Sequence, residues 1–141
     1  MVYVDTSVLV ALLAHESNSA AVARWYATTK AELVSAAWCV TEFASALGLK
    51  QRTGQMDTAQ AHSAWERFGS RVANDLRLLP VEPLNFHRAA TLTLEPSSSL
   101  RAGDALHLAC AMHAGAKSMA TLDEVLARNA LRFKIKRLAF A

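Results

Sequence analysis

Val2-Tyr3-Val4-Asp5-Thr6-Ser7-Val8-Leu9-Val10-Ala11-Leu12-Leu13 sets one carboxylate between a short β-branched run and an apolar helical pattern. The run over 2–4 predicts a buried strand, and Thr6 and Ser7 are N-cap candidates for the helix that follows. Asp5 then stands at the carboxyl end of a first strand. In an open parallel sheet that edge is where ligands bind, above all where the strand order reverses. Asp5 is itself a favoured cap residue, but with Thr6 and Ser7 beside it for that task the acid asks for a further role.

Working outward, strand and helix patterns alternate. Ser17 or Ser19 opens a second helix reaching about residue 31, with Val22, Trp25 and Tyr26 on its apolar face, and 33–36 predicts a second strand buried on both faces. A helix over about 38–52 carries Val40, Phe43, Ala44 and Leu47 as its buried stripe, with Glu42 on the margin. Gly54 breaks the chain, and Asp57 or Thr58 caps a helix to about residue 76 that turns Ala61, Trp65, Phe68 and Val72 inward. These two helices predict a hairpin standing off the sheet.

A third strand over 77–81 is short or at an edge, because Pro80 cannot donate to a ladder. A helix then starts at Pro83 or Leu84, the Ser-rich stretch 96–99 is a loop, and an alanine-rich helix covers 103–115. A fourth strand over 117–121, a short helix over 122–131 and an alternating last strand over 133–138 complete the chain. The expected architecture is α/β: a three-layer α/β/α sandwich with a central parallel sheet of four to five strands, in one domain spanning 1–141.

Composition narrows the function classes. The 141 residues are 52% hydrophobic and 19% charged, with a net charge of +3. That describes a folded chain with room for a nucleic-acid patch but no basic coat. Cys39 and Cys110 lie in apolar helical patterns without metal-ligand spacing, so buried free thiols in a reducing cytoplasm are expected. The chain opens directly into a strand with no signal-type segment, and its longest apolar run, over 8–14, is too short to cross a bilayer. No Gly-x-Ser-x-Gly, Walker lysine loop or Gly-x-Gly-x-x-Gly is found, which removes serine hydrolase, P-loop and dinucleotide readings. A phosphatase with a nucleophilic first-strand Asp needs a second acid two positions on, where Ser7 stands.

Four carboxylates remain at informative positions: Asp5 after the first strand, Glu42 on a helix margin, Asp104 at a helix start and Asp123 after the fourth strand. Each alone reads as a cap, a dipole partner or a solvated residue. If the first and fourth strands are neighbours at a switch point, Asp5 and Asp123 face one crevice and the helices of Glu42 and Asp104 close it. Such acids repel unless a cation sits among them, and with no Cys or His pair at ligand spacing the cation is hard: Mg²⁺ or Mn²⁺.

Asp5-Thr6-Ser7, Thr41-Glu42, Arg101-Ala102-Gly103-Asp104-Ala105-Leu106-His107-Leu108-Ala109 and Thr121-Leu122-Asp123, in that order, resemble the PIN-domain family, specifically its VapC-type toxin ribonucleases. The resemblance covers essentially the whole chain. It implies a PIN-like fold and an acidic cluster of Asp5, Glu42, Asp104 and Asp123 holding Mg²⁺, with Thr6 lining the site and Glu124 as a substitute for the variable fourth acid. It further implies metal-dependent endonucleolytic cleavage of single-stranded or structured RNA, a cognate VapB-like antitoxin and a homodimer. A catalytically inactive PIN-fold RNA-binding or scaffolding protein is the alternative. Independently of the resemblance, in-line attack by water on a phosphodiester suits these residues, needs no Ser or Cys nucleophile, and predicts 5′-phosphate products. Arg101 is positioned at the rim for a phosphate contact. His107 reads as a structural group hydrogen-bonded at the edge of the core, and Arg132, Lys134, Lys136 and Arg137 as guards of a terminal strand.

Overall fold

The computed structural model describes residues 1–140. Five strands, β1 (Val2–Val4), β2 (Leu33–Ala36), β3 (Leu76–Leu79), β4 (Ser118–Ala120) and β5 (Lys136–Arg137), form one sheet of order β3-β2-β1-β4-β5. Every pairing is parallel. The chain therefore runs outward from β1 to β3, returns past its origin, and continues on the other side with β4. That reversal puts the switch point between β1 and β4, where Val4 pairs with Ala120.

Strand periodicity divides the core into two layers. Val2 and Val4 face one side with α1 (Thr6–Leu13), α2 (Ser19–Thr28), α3 (Trp38–Arg52) and α4 (Thr58–Arg67), while Tyr3 faces the other. There it meets α6 (Pro83–Leu94), α7 (Ala102–Ala114) and α8 (Glu124–Arg132). Between α4 and β3 the helix loosens into a π-helical stretch, Phe68–Val72, and a last turn, α5 (Ala73–Asp75). The expected hairpin of α3 and α4 is held by its own aromatic seam: Phe43 stacks on Phe68 at 4.6 Å, and Phe68 on Trp65 at 5.6 Å.

Several expectations are corrected. Asp5 itself is the N-cap of α1, accepting from the Ser7 amide, so Thr6 and Ser7 lie inside the helix. Asn18 precedes α2, which ends at Thr28; Ser19 instead donates to the carbonyls of Ala11 and Ala14, closing the end of α1. Ala44 is exposed and Cys39 takes its place in the buried stripe of α3. Trp65 is 41% exposed because its stacking covers only one face. The last strand is two residues long, since the amides of Phe133, Lys134 and Ile135 are spent closing α8 and Lys134 adopts φ +63° to make the turn. Cys39 and Cys110 are buried and free, as expected. No helix among the described residues is long and apolar enough to cross a membrane.

Candidate functional site

The loops that leave β1 and β4 lie side by side at the switch point, and hydroxyl groups tie them together. Asp5 Oδ1 accepts from the Ser7 amide at 2.9 Å and the Ser7 hydroxyl at 2.5 Å, and Oδ2 accepts from Thr121 Oγ1 at 2.7 Å. Ser7 Oγ in turn receives the Leu122 amide, and Thr121 Oγ1 receives the amide of Asp123. Asp123 caps α8 through Leu126 N at 2.8 Å. Asp5 is 3% exposed. Its burial raises its pKa, and the nearby His107 with the hydroxyl and amide donors takes back part of that rise.

Asp104 sits in the first turn of α7, where the N-terminal end of the helix favours an acid. Its carboxylate accepts no hydrogen bond from any other described residue. Its pKa is pushed up to about 6, first by burial and then by the charges of Asp123 and Asp5, with Glu42 adding to the rise and His107 opposing it. These interactions place all four predicted acids in one electrostatic neighbourhood. Glu124, offered as a substitute, is turned away to pair with Arg137 at 2.8 Å and is almost fully exposed.

Glu42 approaches from α3. Oε1 accepts from Thr6 Oγ1 at 2.6 Å and from His107 Nε2. Burial alone would raise this carboxyl, but the N–H edge of His107, together with Thr6 and Trp38, carries it below its ordinary value. The other oxygen, Oε2, lies against Gly103, whose missing side chain decides how closely α7 approaches α3: a Cβ there would stand 3.0 Å from Oε2. Thr6, Glu42, Arg101, Gly103, Asp104 and Leu122 are among the residues lining an open groove of about 820 Å³. Arg101 is exposed at its rim, immediately before α7.

The donor set is all oxygen and concentrated negative charge, which suits a hard divalent cation. Among the described residues no three His, Cys, Asp or Glu side chains close on one point as a finished ligand set. Like charges repel, and Asp5, Asp123 and Glu42 are each drawn to their own donors.

A family model described as PIN domain matches residues 2–131. The chain belongs to the PIN domain family. Its nucleases generally use divalent metal ions, in keeping with the acidic groove. No curated protein matches the chain. Solved structures show the same fold. VapC20 from Mycobacterium tuberculosis, described as a Sarcin-Ricin loop cleaving toxin, aligns with TM-score 0.74 at 18% identity, covering 92% of this chain and 95% of that one. FitAcB from Neisseria gonorrhoeae aligns with TM-score 0.74 at 16% identity over 99% and 97%. PAE2754 from Pyrobaculum aerophilum aligns with TM-score 0.64 at 24% identity over 89% and 82%. The PIN-like three-layer architecture expected from the sequence is thus the architecture found.

His107 is the residue whose place the sequence understated. It is 1% exposed and reaches Glu42 with one ring nitrogen and Tyr3 with the other. Its spacing one turn beyond Asp104 was the available signal.

Proposed function

We propose that this PIN domain is a divalent-metal-dependent endoribonuclease that cleaves RNA, and that it is the toxin of a VapBC-type pair. The observation that carries the reading is Asp104: a partly buried carboxylate that accepts no hydrogen bond from the other described residues, raised to about 6 by burial first and then by the acids around it. An acidic cluster of that kind is stabilised by a cation and by little else on this surface.

Asp5 and Asp123 would hold the ion from the β1 and β4 ends, Asp104 from the start of α7 and Glu42 from the α3 wall. Mg²⁺ is the expected ion and Mn²⁺ a substitute. Bound there, the cation supplies charge neutralisation at the phosphate oxygens and a more acidic attacking water. Asp5 is fixed by Ser7 and Thr121, so its carboxylate does not reorient during the reaction. Arg101 at the rim offers donors to the substrate backbone, and Thr6 lines the groove wall with its one hydroxyl hydrogen on Glu42. VapC20, alike in fold, is described as a Sarcin-Ricin loop cleaving toxin, which supports a nucleic-acid loop as the kind of substrate. A VapB-like antitoxin, a homodimer and a cytoplasmic setting belong to the same proposal.

The test is a cleavage assay on single-stranded and hairpin RNA with Mn²⁺, alongside thermal unfolding with and without the ion. Cleavage to 5′-phosphate ends and a metal-induced rise in melting temperature that Asp104→Asn abolishes are expected. A folded protein whose melting temperature ignores Mn²⁺ and that cuts no RNA would instead be the inactive scaffold.

A further inference from the structure

We propose that Tyr3 and His107 are positioning residues that orient Glu42 toward the acidic groove, through a hydrogen-bond relay that begins at the backbone of β2. The inference rests on Glu42 being one of the carboxylates that hold the cation. The Ala36 amide donates to the Tyr3 hydroxyl at 3.2 Å, and that hydroxyl stands 2.7 Å from His107 Nδ1. A phenol that accepts from Ala36 has its one hydrogen left for Nδ1, so Nδ1 is the acceptor and the ring hydrogen resides on Nε2. Nε2 faces Glu42 Oε1 and lies 3.2 Å from Thr6 Oγ1, which donates to the same Oε1 at 2.6 Å.

The relay therefore fills one oxygen of Glu42 with two donors and leaves Oε2 on the Gly103 side, where the Trp38 indole also lies. Tyr3 is fully buried and His107 nearly so, and both belong to rigid elements, β1 and α7. Packing alone would not need these atoms: the rings meet edge to face at 5.8 Å, an arrangement Phe would provide as well as Tyr. What phenylalanine lacks is the hydrogen that fixes the imidazole tautomer. Hydrogen bonds of this outer kind, made to a ligating carboxylate, set its orientation and basicity.

Three substitutions and one spectrum test the relay on the full chain. Imidazole ¹⁵N shifts of His107 at neutral pH should report Nε2 protonated and Nδ1 bare, and Tyr3→Phe should move the Nδ1 resonance as that nitrogen loses its donor. Mn²⁺ affinity, measured by calorimetry on protein shown to be folded, should fall on the order of 10-fold in Tyr3→Phe and His107→Met. His107→Gln, whose amide can donate to Oε1, should recover most of it. A hydrogen on Nδ1 in the wild type, or wild-type Mn²⁺ affinity in folded Tyr3→Phe, overturns the relay while leaving the nuclease reading intact. A wild type that shows the expected tautomer but neither binds Mn²⁺ nor cuts RNA removes the nuclease reading and with it the positioning role, leaving only the hydrogen bonds. If His107→Met fails to fold, Tyr3→Phe and the tautomer decide.

Discussion

Two walls of one groove treat the same functional group in opposite ways. Asp5 at the end of β1 and Asp104 in the first turn of α7 are raised, by burial first; Asp104 also suffers from its acidic neighbours. Across the groove on α3, Glu42 is lowered although it is also partly buried, because the N–H edge of His107 and the Thr6 hydroxyl outweigh desolvation. The difference lies in the donors. For Asp5 the nearby His107 and then the Ser7 and Thr121 hydroxyls only partly offset burial, and Asp104 has no donor among the other described residues. One wall stores repulsion that a cation relieves; the other is settled before anything binds.

The contrast is broken most severely by removing one of the raised acids. Asp5→Asn and Asp104→Asn should each lower RNA cleavage by about three orders of magnitude, the rate equivalent of several kcal/mol of lost charge stabilisation, with the fold retained by circular dichroism. Full activity in Asp5→Asn would end the nuclease assignment. Next in size is the metal itself: Mn²⁺ at 100 times its dissociation constant should stabilise the wild type by about 2.7 kcal/mol, read as a rise in melting temperature.

Opposite signs should appear in metal-free protein. Asp104→Asn removes a raised acid and should increase the melting temperature at pH 7 by about 2–4 °C, the shift of roughly 1 kcal/mol in a chain of this size. Glu42→Gln gives up charge-assisted hydrogen bonds and should decrease it by a similar amount. The pH dependence follows the same division. Asp104 has a folded pKa of about 6 against an unfolded value near the ordinary 3.8, so the folded state holds the proton more tightly. Its contribution to stability is fully present below pH 3.8 and lost as pH rises through 6. Glu42, lowered from 4.5, contributes above that value and loses its contribution as pH falls through its folded pKa. Melting curves of Asp104→Asn and Glu42→Gln between pH 4 and 7 should therefore diverge from wild type in opposite directions. The smallest effect belongs to Asp123→Asn, where asparagine caps α8 as well as aspartate and relief of the repulsion on Asp104 should raise metal-free stability by less than about 1 kcal/mol.

Much of the fold was legible because its signals are local. Leu33–Ala36 and Trp38–Arg52 were read with the bounds found, since a four-residue apolar run and a 3.6-residue stripe ended by Gly54 leave few alternatives. Errors gathered where a side chain chose a distant partner over a neighbour. Ser19 looks like a helix cap and instead closes the end of α1; Ser7 looks like a cap and instead bridges Asp5 to the loop after β4. Ser19 turns back to the preceding helix, and the Leu122 amide that Ser7 receives is more than a hundred residues away.

Residue type and order alone determined that strands alternate with helices and that Asp5, Asp104 and Asp123 stand at element ends with Glu42 on a helix margin, because these are short-range properties of the chain. Which acids are raised and which is lowered was decided only when the sheet brought β4 beside β1 and α7 beside α3. Desolvation and charge interaction depend on what lies within a few ångströms, and for Asp5 and Glu42 those neighbours come from residues as distant as Thr121 and His107.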